Sequence, residues 1–360
     1  MNLPPCGAFG DLAAICAVPG VGGGQGVVAR VALRRGQRIL AERPAVSCAS
    51  QQRLEEELFP GGGAPALAQQ EAFAAAAIER CGSADHVRLV WALHDASAGA
   101  AKSALGVFKS NAFATGDGAR SLFLRACRLN HSCRPNAIET WVPDVLLPGG
   151  GGDGGGGSGS GSGSSSSSSS ISAADDDEGD TTTTATTTAN TGQLVVHALR
   201  DVAAGEELTI DYEWEGISCR GADERGELLQ QWMGFRCRCC ACSLVGAPRE
   251  ASDARRRRMR QLAQFVEEWD AEDGTAAAAR AGLPLVAELL ALLDAELDGH
   301  AAFKVDACFT GFAVAEAAGD DGLARRYVRE AYAQTVLASG ADNVHLRDSD
   351  EEEGEGEGDG

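Results

Sequence analysis

Three thiols stand within six residues at Cys237, Cys239 and Cys242, with Cys240 beside them. A C-x-C-x-x-C run offers soft ligands at a spacing suited to a four-coordinate zinc ion, whose sulfur ligands lie at about 2.3 Å. Spacing alone leaves the fourth ligand open. Cys240 adjoins Cys239, and adjacent residues chelate one tetrahedral ion poorly; Cys219 and Cys133 are the distant candidates. A distant ligand would pin the end of this region onto its middle, and structural zinc contributes folding energy directly. The twelve cysteines are read in a reducing setting, because no basic residue precedes the weak apolar stretch of residues 1–20 as a secretory signal would require. Clustered cysteine there means metal or chemistry rather than disulfide.

Three further groups could do chemistry. Asn130-His131-Ser132-Cys133-Arg134-Pro135-Asn136 packs two amides, an imidazole and a thiol into seven residues between apolar segments. Glu207-Leu208-Thr209-Ile210-Asp211-Tyr212 has the form of a strand ending in a tyrosine. It holds the one tyrosine outside the C-terminal helical region, since the other two are Tyr327 and Tyr332. Gly24-Gln25-Gly26 could let backbone approach a ligand, although a lone G-x-G is usually a turn.

The elements that must position these groups are legible as patterns. Residues 20–46 read as two short strands joined at Arg35-Gly36. Residues 52–58 and 66–98 carry apolar residues at helical spacing and predict two or three helices. A short helix is expected at 119–126 and a strand at 137–142. Residues 148–192 are almost wholly Gly, Ser, Thr, Ala and Asp and predict a disordered insert in a hairpin tip between Ile138–Val142 and Leu194–Ala198. Lengthening a loop to about 45 residues adds only roughly 2 kcal/mol of closure entropy. Residues 222–233 predict a helix. From Asp253 onward helical periodicity recurs at 253–269, 283–297, 303–317 and 321–338. Arg255 to Arg258 read as a solvated helix face or a basic targeting patch. Residues 348–360 form an acidic tail.

Charge excludes one function class. The insert and tail hold fourteen acidic residues and no Lys or Arg, so of the net −21 the rest of the chain carries −7. A nucleic-acid binder would show a basic face, so a zinc ribbon built on Cys237–Cys242 for nucleic acid is disfavoured and no direct nucleic-acid partner is expected. No apolar run reaches about 18 residues, so no membrane partner is expected either.

Together and in this order the four motifs resemble those of SET-domain protein lysine methyltransferases. The matching pieces are GQGVVA followed by RRGQRIL, then NHSCRPN, then EELTIDY, then the post-SET-like FRCRCCAC. FKSNAF and the helix before the cysteines are most similar to the SMYD branch. Residues 48–104 hold only Cys48, Cys81, His86 and His94 as potential ligands, with no C-x-x-C pair, so no MYND finger is read. The resemblance implies an α+β SET fold: small β-sheets with a threaded pseudoknot, a zinc-bound post-SET segment and a helical C-terminal region. It implies a SET domain over 20–243, with a helical insertion at 52–104 and a post-SET segment at 235–243, followed by the helical region 253–340. It further implies S-adenosylmethionine as cofactor, approached by Gly24, Gln25, Gly26, Asn111, Asn130, His131 and Phe235. Tyr212 would be catalytic, and Cys133 would complete a structural zinc site with Cys237, Cys239 and Cys242. The expected reaction is methylation of a lysine in a protein substrate, histones among the candidates, by a monomer in nucleus or cytoplasm. The alternative is a catalytically silent SET-like interaction module with a structural zinc site.

Overall fold

The computed structural model describes residues 9–18, 24–48, 67–81, 83–96, 101–116, 119–144, 192–212, 216–269 and 275–341. The expected helix at 52–58, the insert short of Gly192 and the tail at 348–360 lie outside them.

Three small sheets form the N-terminal part. Strands β1 (Ala13–Ala17) and β2 (Gln25–Ala29) pair antiparallel, with Cys16 opposite Gly26. The other edge of β2 takes β10 (Glu207–Ile210), and β10 in turn takes β7 (Asn130–His131) in parallel, Thr209 opposite Asn130 and Ile210 opposite His131. The second sheet has the order β3 (Arg38–Glu42), β9 (Gly192–Ala198), β8 (Ala137–Pro143). Its central strand, β9, reads GQLVVHA and is buried along almost its whole length, as a strand covered on both faces must be. Pro143 pairs with Gly192, so the two ends of the insert face each other across the expected hairpin. Gly192 is required there: a Cβ would lie 2.5 Å from the Trp141 ring and 2.6 Å from the Val142 carbonyl. The third sheet orders β4 (Val46–Cys48), β6 (Arg120–Leu122), β5 (Phe113–Ala114). The helix expected at 119–126 is therefore corrected. The chain there makes β6 and then a 3-10 turn at Ala126–Arg128, because Val46 to Cys48 offer a pairing partner that local spacing does not reveal.

One core lies between the first two sheets and includes Phe9, Val27, Leu33, Leu40, Phe123, Leu194, Val196 and Leu208. A second lies under helices α1 (Leu67–Glu79), α2 (Ala84–Trp91) and α3 (Ala104–Asn111), packing Ile78, Val90, Val107 and Phe108 on Val46 and Leu122. The start of α3 is capped twice. Ser103 accepts the Gly106 N–H, and the Glu71 carboxylate of α1 accepts the Ala104 and Leu105 N–H groups at 2.8 Å. A carboxylate at a helix N-terminus satisfies donors the helix cannot.

Helix α4 (Ala222–Met233) ends at Gly234 in the left-handed region and turns the chain into the cysteine segment. Helices α5 (Gly246–Glu268), α6 (Ala276–Leu297), α7 (Ala301–Ala318) and α8 (Asp321–Ser339) follow. Helix α6 is long and apolar enough by length and composition to cross a membrane. Its Leu289, Leu293 and Leu297 pack with Met259 and Leu262 of α5 and Ala307 of α7, and its Glu296 is held in ion pairs with Arg255 and Arg256.

Those ion pairs correct the expected solvated face at one of its four residues, Arg256, while Arg255 and Arg257 are exposed. Arg256 has no exposed surface. Its Nε donates to Glu296 Oε2 at 3.1 Å, and Nη2 donates to the carbonyls of Cys133 (3.0 Å) and Glu296 (3.2 Å). Nη1 donates to the Ser218 carbonyl at 2.5 Å. Glu296 also accepts from Ser252 and Arg255. Burial works to raise the Glu296 carboxyl, and these donors outweigh it, leaving it below the usual carboxylate range. Arg134 donates to Asp298 at 2.8 and 2.5 Å, Thr140 donates to the Ala338 carbonyl, and Arg35 to Gln334. The C-terminal helices are thus bonded to the strand region through polar groups.

Two outcomes are expected in urea unfolding. Arg256→Met takes from Glu296 its fully buried partner, leaving Ser252 and the partly exposed Arg255, and costs about 3 kcal/mol; Arg258→Ala, which breaks an exposed pair with Glu288, leaves the urea midpoint close to that of wild type. His300 is buried, with no hydrogen-bond partner at Nδ1, and burial pushes its pKa down to about 4 from 6.5. Between those two values the unfolded chain holds a proton the folded chain lacks, so this contribution is complete above about pH 6.5 and is lost as pH falls toward 4. His300→Phe flattens the slope of unfolding free energy against pH within that window.

Candidate active site and thiol cluster

Cys133, Cys237, Cys239 and Cys242 come together with their sulfur atoms all within 4.8 Å of one another. Cys133 is fully buried at the end of the turn that leaves β7, and the other three lie in the loop after α4. The Cys239 N–H points at the Cys237 sulfur at 3.4 Å, folding that loop around its own thiols. The Cys133 and Cys242 sulfurs are 3.5 Å apart and all four cysteines are free. A tetrahedral ion with sulfur at about 2.3 Å places its ligands about 3.8 Å apart, so the donor set has the size and softness of a structural zinc site. Of the two other candidates, Cys240 is exposed and Cys219 packs with Met259 and Leu262 in the helical core.

A cationic neighbour serves the sulfurs. Arg225 has no exposed surface and its Nη2 donates to the Cys242 sulfur at 3.4 Å. Burial works to lower its pKa, and the Cys133 and Cys242 sulfurs raise it above the usual arginine range.

Two residues before Cys133, His131 is buried. Its Nε2 lies 3.1 Å from the Cys133 sulfur, and its Nδ1 accepts the Tyr212 backbone N–H at 3.1 Å. Burial holds its pKa below the usual histidine range, and Nδ1, as the acceptor of an N–H, carries no proton. Asp211 Oδ1, 3.5 Å from Nδ1, makes no hydrogen bond, while its other oxygen accepts from Ser218. The rings of His131, Tyr212 and Phe235 form one cluster, with centroids 5.2 to 6.3 Å apart.

Tyr212 follows β10, and its hydroxyl donates to the Leu129 carbonyl at 2.9 Å. Burial raises its pKa above the ordinary phenol range, so the hydroxyl keeps its proton. That proton is committed to Leu129, which leaves the oxygen lone pairs able to accept.

Beside β7 lies a polar cradle. The Asn130 side-chain amide donates to the Gln25 carbonyl (3.2 Å) and to Glu207 Oε1 (2.7 Å). Gly26 makes this possible: a Cβ there would meet Glu207 Oε1 at 2.5 Å and Asn130 Nδ2 at 2.8 Å. The Gly24 carbonyl accepts the Val18 N–H, holding the β1–β2 connection. Gln25, Gly26 and Asn130 therefore gather around Glu207, a residue to which the motif reading gave no role of its own, while Gly24 is bonded to Val18. The signal available for it was its place beside the G-x-G strand in the EELTIDY register. Arg225 and Arg256, also missed, carried no such signal. Asn111 stands differently: its amide donates to the carbonyls of His94 and Val107, capping its own helix, while its backbone carbonyl accepts from Cys127. Tyr212, His131, Phe235 and the four cysteines form one continuous unit, and no side-chain bond of Asn111 joins them.

Residues 24–213, more than half of the chain, match the family model described as SET domain. The chain is also similar to histone-lysine N-methyltransferase set5 of Schizosaccharomyces pombe. The two are 26% identical over 238 residues, which is 66% of this chain and 53% of that protein. The chain thus spans about half the length of this curated relative.

In the full-length protein, Co²⁺ is expected to give a sulfur-to-metal charge-transfer band that Cys240→Ser and Cys219→Ser leave unchanged and Cys133→Ser sharply weakens. Equal loss in Cys240→Ser and Cys133→Ser would assign the ligands differently.

Proposed function

From a chain that belongs to the SET-domain family, we propose a protein lysine N-methyltransferase that uses S-adenosylmethionine and carries a structural zinc ion on a post-SET cysteine segment, of the SMYD-like branch. The observation that carries this reading is the Tyr212 hydroxyl. It is half-buried, protonated and hydrogen-bonded to the Leu129 carbonyl, next to the His131 and Phe235 rings. The similarity to a histone-lysine methyltransferase supports the same substrate class. The parallel pairing of β7 with β10 supports reading residues 130–136 as the threaded crossing of the fold.

The residues present fit the cofactor. Gln25, Gly26 and Asn130 would hold its polar end beside the Glu207 carboxylate, a negative group suited to a cation. Phe235 offers an aromatic face for a flat base. Bound S-adenosylmethionine supplies an electrophilic methyl group on a positive sulfonium. Cys133, Cys237, Cys239 and Cys242 would hold Zn²⁺, whose role is to fix the cysteine segment and with it Phe235.

The protein's own residues then position and desolvate. A lysine amine has an ordinary pKa near 10.4 and reaches the site protonated. A dry setting beside positive charge disfavours the ammonium, so the amine gives its proton to bulk water before it enters the site. Tyr212 does not act as a base, because its hydroxyl keeps its own proton and donates it in a hydrogen bond to the Leu129 carbonyl. Its oxygen accepts an amine N–H and so turns the nitrogen lone pair toward the methyl group, which is catalysis by positioning. The acidic balance of the chain favours basic protein segments such as histone tails by steering. A nuclear or cytoplasmic setting is part of this reading.

Transfer of labelled methyl from S-adenosylmethionine to histones and other lysine-bearing proteins tests it. Tyr212→Phe is expected to lower transfer about 100-fold with cofactor affinity held within about threefold by calorimetry, and the wild-type rate is expected to rise with pH as the lysine amine deprotonates. Cofactor binding without transfer to any lysine-bearing protein would favour a silent interaction module instead.

A further inference from the structure

His131 joins two groups that the proposed mechanism treats separately. One ring nitrogen faces the thiol cluster and the other faces the backbone of the tyrosine. The bond pattern fixes the tautomer: Nδ1 accepts the Tyr212 N–H, so in the neutral ring the proton sits on Nε2 and points at the Cys133 sulfur 3.1 Å away. The ring is buried, and both ends are engaged. It lies beside its strand partner Ile210 and is tilted at 52° against the Tyr212 ring, with centroids 5.2 Å apart.

We propose that His131 is a positioning residue that ties the metal site to the catalytic tyrosine: its Nε2–H supports the Cys133 thiolate while its Nδ1 holds the Tyr212 amide and hence the end of β10. This rests on the zinc reading of the four cysteines. A group that hydrogen-bonds a ligand orients it and tunes its charge, and losing such a group typically costs 10–100-fold in metal affinity. An N–H aimed at sulfur also relieves part of the negative charge that four thiolates leave on one divalent ion. The Arg225 guanidinium does the same at Cys242. What His131 adds is the second bond, through which order at the metal passes to Tyr212.

The two ring nitrogens can be tested apart in the full-length protein. Asn places a side-chain oxygen near the position of Nδ1 but cannot reach the sulfur; Gln places an N–H near the position of Nε2. His131→Asn is expected to weaken Zn²⁺ binding 10–100-fold in competition with a chromogenic chelator. His131→Gln is expected to stay within about threefold of wild type. In wild type, stripping zinc is expected to speed hydrogen exchange at the Tyr212 amide, a measurement that needs no variant. Wild-type Zn²⁺ affinity in His131→Asn, equal weakening by Asn and Gln, or Tyr212 exchange unchanged by zinc removal would each overturn the inference. A wild-type protein that gives no thiolate charge-transfer band with Co²⁺ would fail one step earlier, removing the zinc reading and the inference with it.

Discussion

Cys133 is held at its sulfur and at its carbonyl, and the rest of the site depends on that grip. Its sulfur lies among the thiols of the loop after α4, and its carbonyl accepts from the buried guanidinium of Arg256 on α5. One neighbour, His131, reaches from the same sulfur to Tyr212, and another, Arg134, is clamped by Asp298 at the turn between α6 and α7. Cys133 and Arg134 are therefore fixed by groups more than 100 residues away, and His131 by one 81 residues away. No local preference would hold this segment, since its one piece of regular structure is the end of the two-residue strand Asn130–His131. Long-range bonds to buried partners supply the order that local structure cannot.

The C-terminal helices belong to that arrangement. Arg256 would be costly to bury alone, and its placement is sustained because Glu296 and three carbonyls satisfy it. Glu296 in turn is kept ionised by Ser252, Arg255 and Arg256. Such a network gives α5 and α6 one seating on the strand region. The tyrosine side of the site is built differently. There, the β2–β10–β7 pairing brings Gly26, Glu207 and Asn130 into one cradle, and Gly26 is what lets the two side chains close over the β2 backbone.

The sequence made some of this visible and concealed the rest for identifiable reasons. The thiol cluster was legible because C-x-C-x-x-C is rare without a metal to hold, and its fourth member needed a family resemblance to separate Cys133 from Cys219. Helices α5 to α8 were legible from periodicity, with boundaries short by several residues at the starts of α5 and α6. Arg256 was hidden in a run of four arginines, where no property of the run distinguishes the buried one from its exposed neighbours. Residues 120–122 were misread as helix because SLFL has helix-compatible spacing and its partner strand lies more than 70 residues earlier. Asn111 was placed with the cofactor by resemblance, whereas its amide is engaged at its own helix end.

The central claim is that order at Cys133 makes the neighbouring site competent to bind its cofactor. Calorimetry with S-adenosylhomocysteine, the unreactive product, measures this directly on the full-length protein before and after zinc is stripped, and again after zinc is restored. The account predicts that affinity falls at least tenfold on stripping and returns with the metal. Equal affinity in the loaded and stripped states would contradict it.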